Sequence, residues 1–213
     1  LGLKELAKVG ELDNVSAFKL YETYGLPFEV MKDKHPELSR AEFEAEFAKH
    51  QTISRAGLEK KFAGGLANHE PKTVKLHTAH HLLLAALQTL FGKQIKQRGS
   101  NINEERLRLD FSFDRKLTDQ EKNKIEEIVN EKIKENLPVV KKEMPKSEAE
   151  KLGAEMEFGK KYGDTVSVYS ISDFSLEFCG GPHVSKTGEL GHFKILKDEA
   201  VAQGVRRIKA VLD

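Results

Sequence analysis

One cysteine and no tryptophan occur in 213 residues. A lone cysteine excludes an internal disulfide framework, which fits a reducing compartment and places the chain in the cytoplasm. No apolar run approaches the roughly 18–20 residues of a membrane span, and no signal peptide is visible. Charge of one sign is missing too: 35 basic residues face 34 acidic ones, for a formal net charge of +1. Nothing global therefore demands nucleic acid, although a balanced total leaves room for a local basic face. A length of 213 residues permits one large domain or two small ones, and a hydrophobic share of 38% is that of a globular chain. The chain opens Leu1-Gly2-Leu3 without Met, as an excised piece of a longer protein would.

Two short segments stand out against this background. His77 and His81 lie in a Leu- and Ala-rich run, 77–91, with no Gly or Pro, which predicts a buried helix. Residues four apart stack on one helix face, so both imidazoles can reach one ion. About a hundred residues later come Cys179 and His183, separated by Gly180-Gly181-Pro182, which forbids a helix and predicts a turn. Alone, each pair is a weak signal, and a single Cys is usually a small core residue. Together they predict one metal site fed by two local segments, the usual supply of a tetrahedral zinc. His80, one position off His81, is expected beside the ligands or at the surface.

The rest of the chain reads as α+β, with packed helices and a mostly antiparallel sheet. Residues 1–62 read as a small helical segment, with a capping box at Ser39-Arg40-Ala41-Glu42. Residues 63–72 carry the Gly, Asn and Pro of a linker. From 73 to 213 a strand is expected at 106–113, where Leu107, Leu109, Phe111 and Phe113 alternate with polar residues. A second capping box, Thr118-Asp119-Gln120-Glu121, opens a helix that ends before Pro138. Strands are expected from Val139, at 166–169, 176–178, 192–196 and 205–212, and a short helix at 147–152.

In this order the motifs HTAHHLL, Gln97-Arg98-Gly99-Ser100-Asn101, Leu107-Arg108-Leu109-Asp110-Phe111-Ser112, Asp173-Phe174-Ser175, Cys179-Gly180-Gly181-Pro182-His183, Thr187-Gly188-Glu189 and Gly204-Val205-Arg206-Arg207-Ile208 resemble the editing domain of the alanyl-tRNA synthetase family. The stretch 17–25 (AFKLYETYG) resembles the helical region that precedes editing there. The resemblance implies that His77, His81, Cys179 and His183 bind Zn2+, that Gln97 lines the editing pocket, and that residues 1–62 correspond to the end of the tRNA-recognition region. It implies hydrolysis of mischarged Ser- or Gly-tRNA(Ala) as part of an alanine–tRNA ligase, with tRNA and the parent catalytic domain as partners. Such a second site is needed physically, because a pocket that accepts a methyl group discriminates weakly against glycine or an added hydroxyl. The family more often has Thr where this chain has His80 and Pro182, and the Pro182 variant resembles the threonyl-tRNA synthetase editing domain. Neither the β-barrel that commonly precedes the HxxxH helix nor an ATP-binding domain is visible, so no aminoacylation is expected.

Four protein ligands close a tetrahedral site, and closed sites are usually structural. The sequence leaves open whether an ion there would activate water, hold the substrate or brace the fold. Phosphate contacts are expected from Lys93, Lys96 and Arg98 and from Arg206 and Arg207. Adjacent strand residues face opposite sides, so one of the last two is expected to turn inward to an anionic or carbonyl partner. The rival readings are a non-catalytic zinc-stabilised tRNA-binding module and editing of seryl-tRNA(Thr). A zinc protease is disfavoured, because the Glu that follows the first His in HExxH is absent.

Overall fold

The computed structural model describes residues 6, 9–10, 12–24, 26–59, 65–157 and 161–213. It divides into two compact units, 1–60 and 61–213. Among the described residues are six α-helices and two antiparallel sheets, an α+β arrangement. No described helix is long and apolar enough to cross a membrane.

The first unit holds α1 (Asn14–Tyr24), α2 (Phe28–Lys34) and α3 (Arg40–Glu59). Leu12, Phe18, Leu20, Phe28, Met31 and Phe43 close its core. Phe18 and Phe28 are buried, whereas Tyr21 and Phe47 stay exposed. Only half of the Ser39 capping box forms. The Glu42 amide donates to Ser39 Oγ at 3.4 Å, but the Ser39 amide donates to Asn14 Oδ1 and the Asn14 amide group takes Glu42. Asn14 thus bridges both ends of the box. Residues 60–64, where the third helix was expected to run on, lie outside the described residues.

The second unit begins with a stretch that packs rather than dangles. Leu66 is fully buried and bridges Ile102, and the Ala67 amide donates to the Ile102 carbonyl at 2.8 Å. Helix α4 (Pro71–Phe91) starts six residues before His77. Proline suits its first turn because that N–H has no helical partner, and Gly92, at φ 92°, ends it. Its residues Leu82, Leu83 and Leu87 are wholly buried against Leu107, Leu109 and Phe111 in the main core.

Four strands make the larger sheet in the order β1-β2-β7-β6: β1 (Gln97–Ile102), β2 (Leu107–Ser112), β6 (Phe193–Ala202) and β7 (Val205–Leu212). β1 escapes the sequence pattern because QRGSNI has neither apolar alternation nor β-branched bulk beyond its last residue. It is an edge strand with a register shift between Gln97 and Gly99. The second sheet, β3-β4-β5, combines β3 (Val139–Pro145), β4 (Thr165–Ile171) and β5 (Ser175–Phe178). Two sheets therefore replace the single one expected. Val166, Val168 and Phe178 form a separate small core with Ala149 and Ala154, so the second sheet buries an apolar face of its own. Helix α5 (Asp119–Lys134) has the full Thr118–Glu121 capping box. Helix α6 (Lys146–Lys151) and a short 3-10 turn (Thr187–Leu190) complete the unit.

Candidate metal centre

The helix and the turn meet. α4 presents His77 and His81 on one face, β5 ends at Phe178 so that Cys179 follows immediately, and the Gly-Gly-Pro turn brings His183 back. One ligand atom from each of the four residues lies within 4.8 Å of the others. Cys179 Sγ is 3.4 Å from Nε2 of both His77 and His183. A tetrahedron with typical zinc–sulfur and zinc–nitrogen bonds has S···N edges of about 3.5 Å. Cys179, His77 and His81 are buried and His183 is half-buried.

The surroundings fix which ring nitrogens face inward. His77 Nδ1 lies 3.1 Å from the Pro182 carbonyl, an acceptor only, so Nδ1 carries the proton and Nε2 keeps its lone pair. Thr78 Oγ1 donates its single proton to the Val74 carbonyl and accepts the Val184 amide. It can then only accept from His183 Nδ1, 3.1 Å away, which frees His183 Nε2 in the same way. Glu177 Oε2 comes within 2.6 Å of His81 Nδ1 in a buried ion-pair contact. That contact lies off the ring N–H line, and neither nitrogen of His81 completes a hydrogen bond. Ser175 Oγ donates to the other Glu177 oxygen at 3.0 Å. A carbonyl and a hydroxyl thus hold two imidazoles from behind, and a carboxylate stands close behind the third, the usual outer support of metal-ligating histidines.

The charge balance agrees. Burial opposes a charge on His81, but Glu177 and Cys179 overcome it and push its pKa up to about 10. Burial, and then the positive charge on neighbouring His81, hold His183 far below its ordinary value. The cluster attracts one positive charge while keeping neutral imidazoles beside it. The donor set, the lone pairs and this balance all fit a divalent ion of zinc's preferences.

Beside the ligands is a cavity of about 20 Å³, lined by His80, Gln97, Glu155, Glu157 and Phe178 among others. Gln97, the sequence candidate for the pocket, is buried there. His80 is not a surface residue: it is 2% exposed, and among the described residues both its ring nitrogens lack a hydrogen-bond partner. Burial and the neighbouring His81 lower its pKa to about 3, so the ring is neutral. Positions i, i+3, i+4 and i+7 share one helix face, so His77, His80, His81 and Leu84 line the cavity together.

The basic candidates divide. Lys96 Nζ is 2.7 Å from Glu155, and Lys93 Nζ donates to Gln88 Oε1 and lies 3.8 Å from Glu155. Both stand at the rim of the cavity that Glu155 lines. Arg98 is an exposed residue of β1, in the other sheet from the Cys179 turn. Arg206 and Arg207 each grip a carboxylate with two hydrogen bonds, Arg206 on Asp198 and Arg207 on Asp110. Both, not one, have anionic partners, one on each face of β7. Sequence reasoning passed over Thr78 and Glu177. Only their positions, directly after His77 and two before Cys179, signal a supporting role.

The family model described as the threonyl and alanyl tRNA synthetase second additional domain matches residues 166–209. Among similar curated proteins, the alanine–tRNA ligase of Treponema denticola is 52% identical over 201 residues, 92% of this chain and 34% of that protein. That of Treponema pallidum is 47% identical over 207 residues, 95% of the chain and 34% of the relative. The Listeria welshimeri alanine–tRNA ligase is 49% identical over 140 residues, 66% of the chain and 16% of the relative.

Proposed function

Because the chain belongs to the alanyl-tRNA synthetase family, spanning about a third of the length of the relatives it matches, we propose that it hydrolyses the ester of mischarged Ser- or Gly-tRNA(Ala) at a zinc centre. The observation that carries this reading is the four-residue cluster, with the tautomers of His77 and His183 fixed inward, next to a polar cavity. His77, His81, Cys179 and His183 would hold the zinc, which supplies a fixed positive charge for the electron-rich oxygens or the amine of an aminoacyl ester.

The residues around it would do the rest. An aminoacyl ester is already activated, so hydrolysis needs a placed water and charge stabilisation rather than a covalent nucleophile. Glu177 is committed to His81 and Ser175. The carboxylates of Glu155 and Glu157, lining the same cavity, would accept the proton of the attacking water. Gln97, with a donor and an acceptor, would orient the ester or the water. Lys93 and Lys96 at the rim would meet the phosphates of the tRNA end. Arg98, Arg206 and Arg207 are weaker candidates for that role, the last two because their charge is matched within the sheet.

The test is deacylation of Ser-tRNA(Ala), with Ala-tRNA(Ala) as control, by the native chain and by Cys179→Ala. Loss of the seryl ester alone, abolished by the substitution, is the expected result. No hydrolysis by a folded, zinc-loaded native chain would overturn the reading. The closed four-ligand set favours one alternative, a zinc-braced tRNA-binding module. That alternative predicts tRNA binding without hydrolysis and unfolding on zinc removal.

A further inference from the structure

Buried polar groups are nearly always paired. Among the described residues beside this cavity, the rings of His80 and His81 lack hydrogen bonds; His81 faces Glu177 and joins the ligand cluster, whereas His80, 2% exposed, does neither. The ligand set does not use it, and it lines the same cavity as Gln97 and Glu157. That cavity, at about 20 Å³, has room for a single water-sized group. An unpaired ring against a hydroxyl-sized polar space calls for a partner carried in by the substrate.

We propose that His80 is a specificity-determining residue whose ring hydrogen-bonds the side-chain hydroxyl of a seryl ester and so separates seryl from alanyl esters. The proposal rests on the editing reading above. A neutral imidazole offers one donor and one acceptor, and a hydroxyl is both, so either tautomer pairs with it. An alanyl ester ends at the carbon that carries serine's hydroxyl and offers the ring no partner, and an α-aminobutyryl ester fills the hydroxyl's space with a methyl and leaves the ring unpaired. Leaving a buried polar group without its partner lowers the rate for the latter ester by about 10- to 100-fold. The seryl ester is therefore preferred, and the correctly charged product is spared.

The experiment compares kcat/KM for seryl-, alanyl- and α-aminobutyryl-tRNA(Ala) in the native chain, His80→Leu and His80→Gln, with zinc content measured in each. The α-aminobutyryl ester carries a methyl where serine carries its hydroxyl. The native chain should prefer seryl to α-aminobutyryl by about 10- to 100-fold. His80→Leu should bring that ratio near one without loss of zinc, and His80→Gln, which keeps a donor and an acceptor, should retain most of it. Equal native rates on the two esters would overturn the proposal without any variant. So would a His80→Leu protein that slows both esters alike and preserves their ratio. If the native chain hydrolyses no seryl ester, the editing reading fails first and takes this proposal with it.

Discussion

Replacing Arg206 with Gln tests whether the arginines of the last strand brace the sheet or bind RNA. Arg206 Nε and Nη2 donate to Asp198 at 3.0 and 2.6 Å, and the two side chains are 11% and 1% exposed. Asp198 also accepts the Leu117 amide at 3.1 Å. Removing the guanidinium leaves a buried carboxylate with one remaining donor. Breaking such a pair costs about 3–5 kcal/mol, because the surviving charge keeps its desolvation penalty. In a domain of this size each kcal/mol lowers the melting temperature by about 2–4 °C, so the fall should be roughly 6–20 °C. Circular dichroism melts of the native chain, Arg206→Gln, Asp198→Asn and the double variant form a cycle. The double variant should be more stable than the sum of the single losses predicts, since it carries no orphaned charge. The salt dependence of tRNA binding should be unchanged. A fall in melting temperature under about 2 °C, with the slope of log affinity against log salt reduced by about one, would refute the structural reading and assign Arg206 to the phosphates.

Three further outcomes follow from the same geometry. Chelating the metal should abolish hydrolysis and lower the melting temperature of the unit 61–213, and zinc should restore both; activity that survives complete zinc removal would exclude the metal from the reaction. In the zinc-free chain, His80 titrates at about 3 when folded and near 6.5 when unfolded, so the stability it contributes is full above pH 6.5 and is lost as pH falls toward 3. Urea titrations between pH 6.5 and 5.5 should show His80→Leu losing up to about 1 kcal/mol per pH unit less than the native chain, and parallel curves would contradict the burial argument. Thr118→Ala removes the side chain that accepts the Glu121 amide at 3.1 Å and should cost about 1 kcal/mol in chemical denaturation.

The elements that carry local signals were legible in the sequence. Helix α5 has a cap whose two hydrogen bonds join residues three apart, and β2 alternates on its own, so neither needs distant information. The half-formed box at Ser39 shows where such reading ends: Asn14, 25 residues away in sequence, supplies the partner the local rule assigns to Glu42. β1 and the split into two sheets were illegible for the same reason. A polar segment becomes a strand when β2 presents its free edge, and β3 belongs to a second sheet because β4 turns its apolar face to Ala149 and Ala154.

The four ligands were visible because each pair is local and only the union is long-range. What supports them was not. Thr78 reads as one helix residue between two histidines, yet its hydroxyl reaches His183 and the Val184 amide about a hundred residues on. Its meaning depends on a proton count: one hydrogen, given to Val74, leaves only acceptance for His183. His80 carries the opposite lesson. Its spacing from His77 places it on the ligand face by helical geometry alone, since i+3 and i+4 flank the same line. Treating i+4 as the whole face hid a residue that the period of 3.6 had already put in the cavity. What the period could not supply is that, among the described residues, nothing hydrogen-bonds that ring. That is a property of the packed fold, and it makes His80 the side chain most open to an incoming hydroxyl.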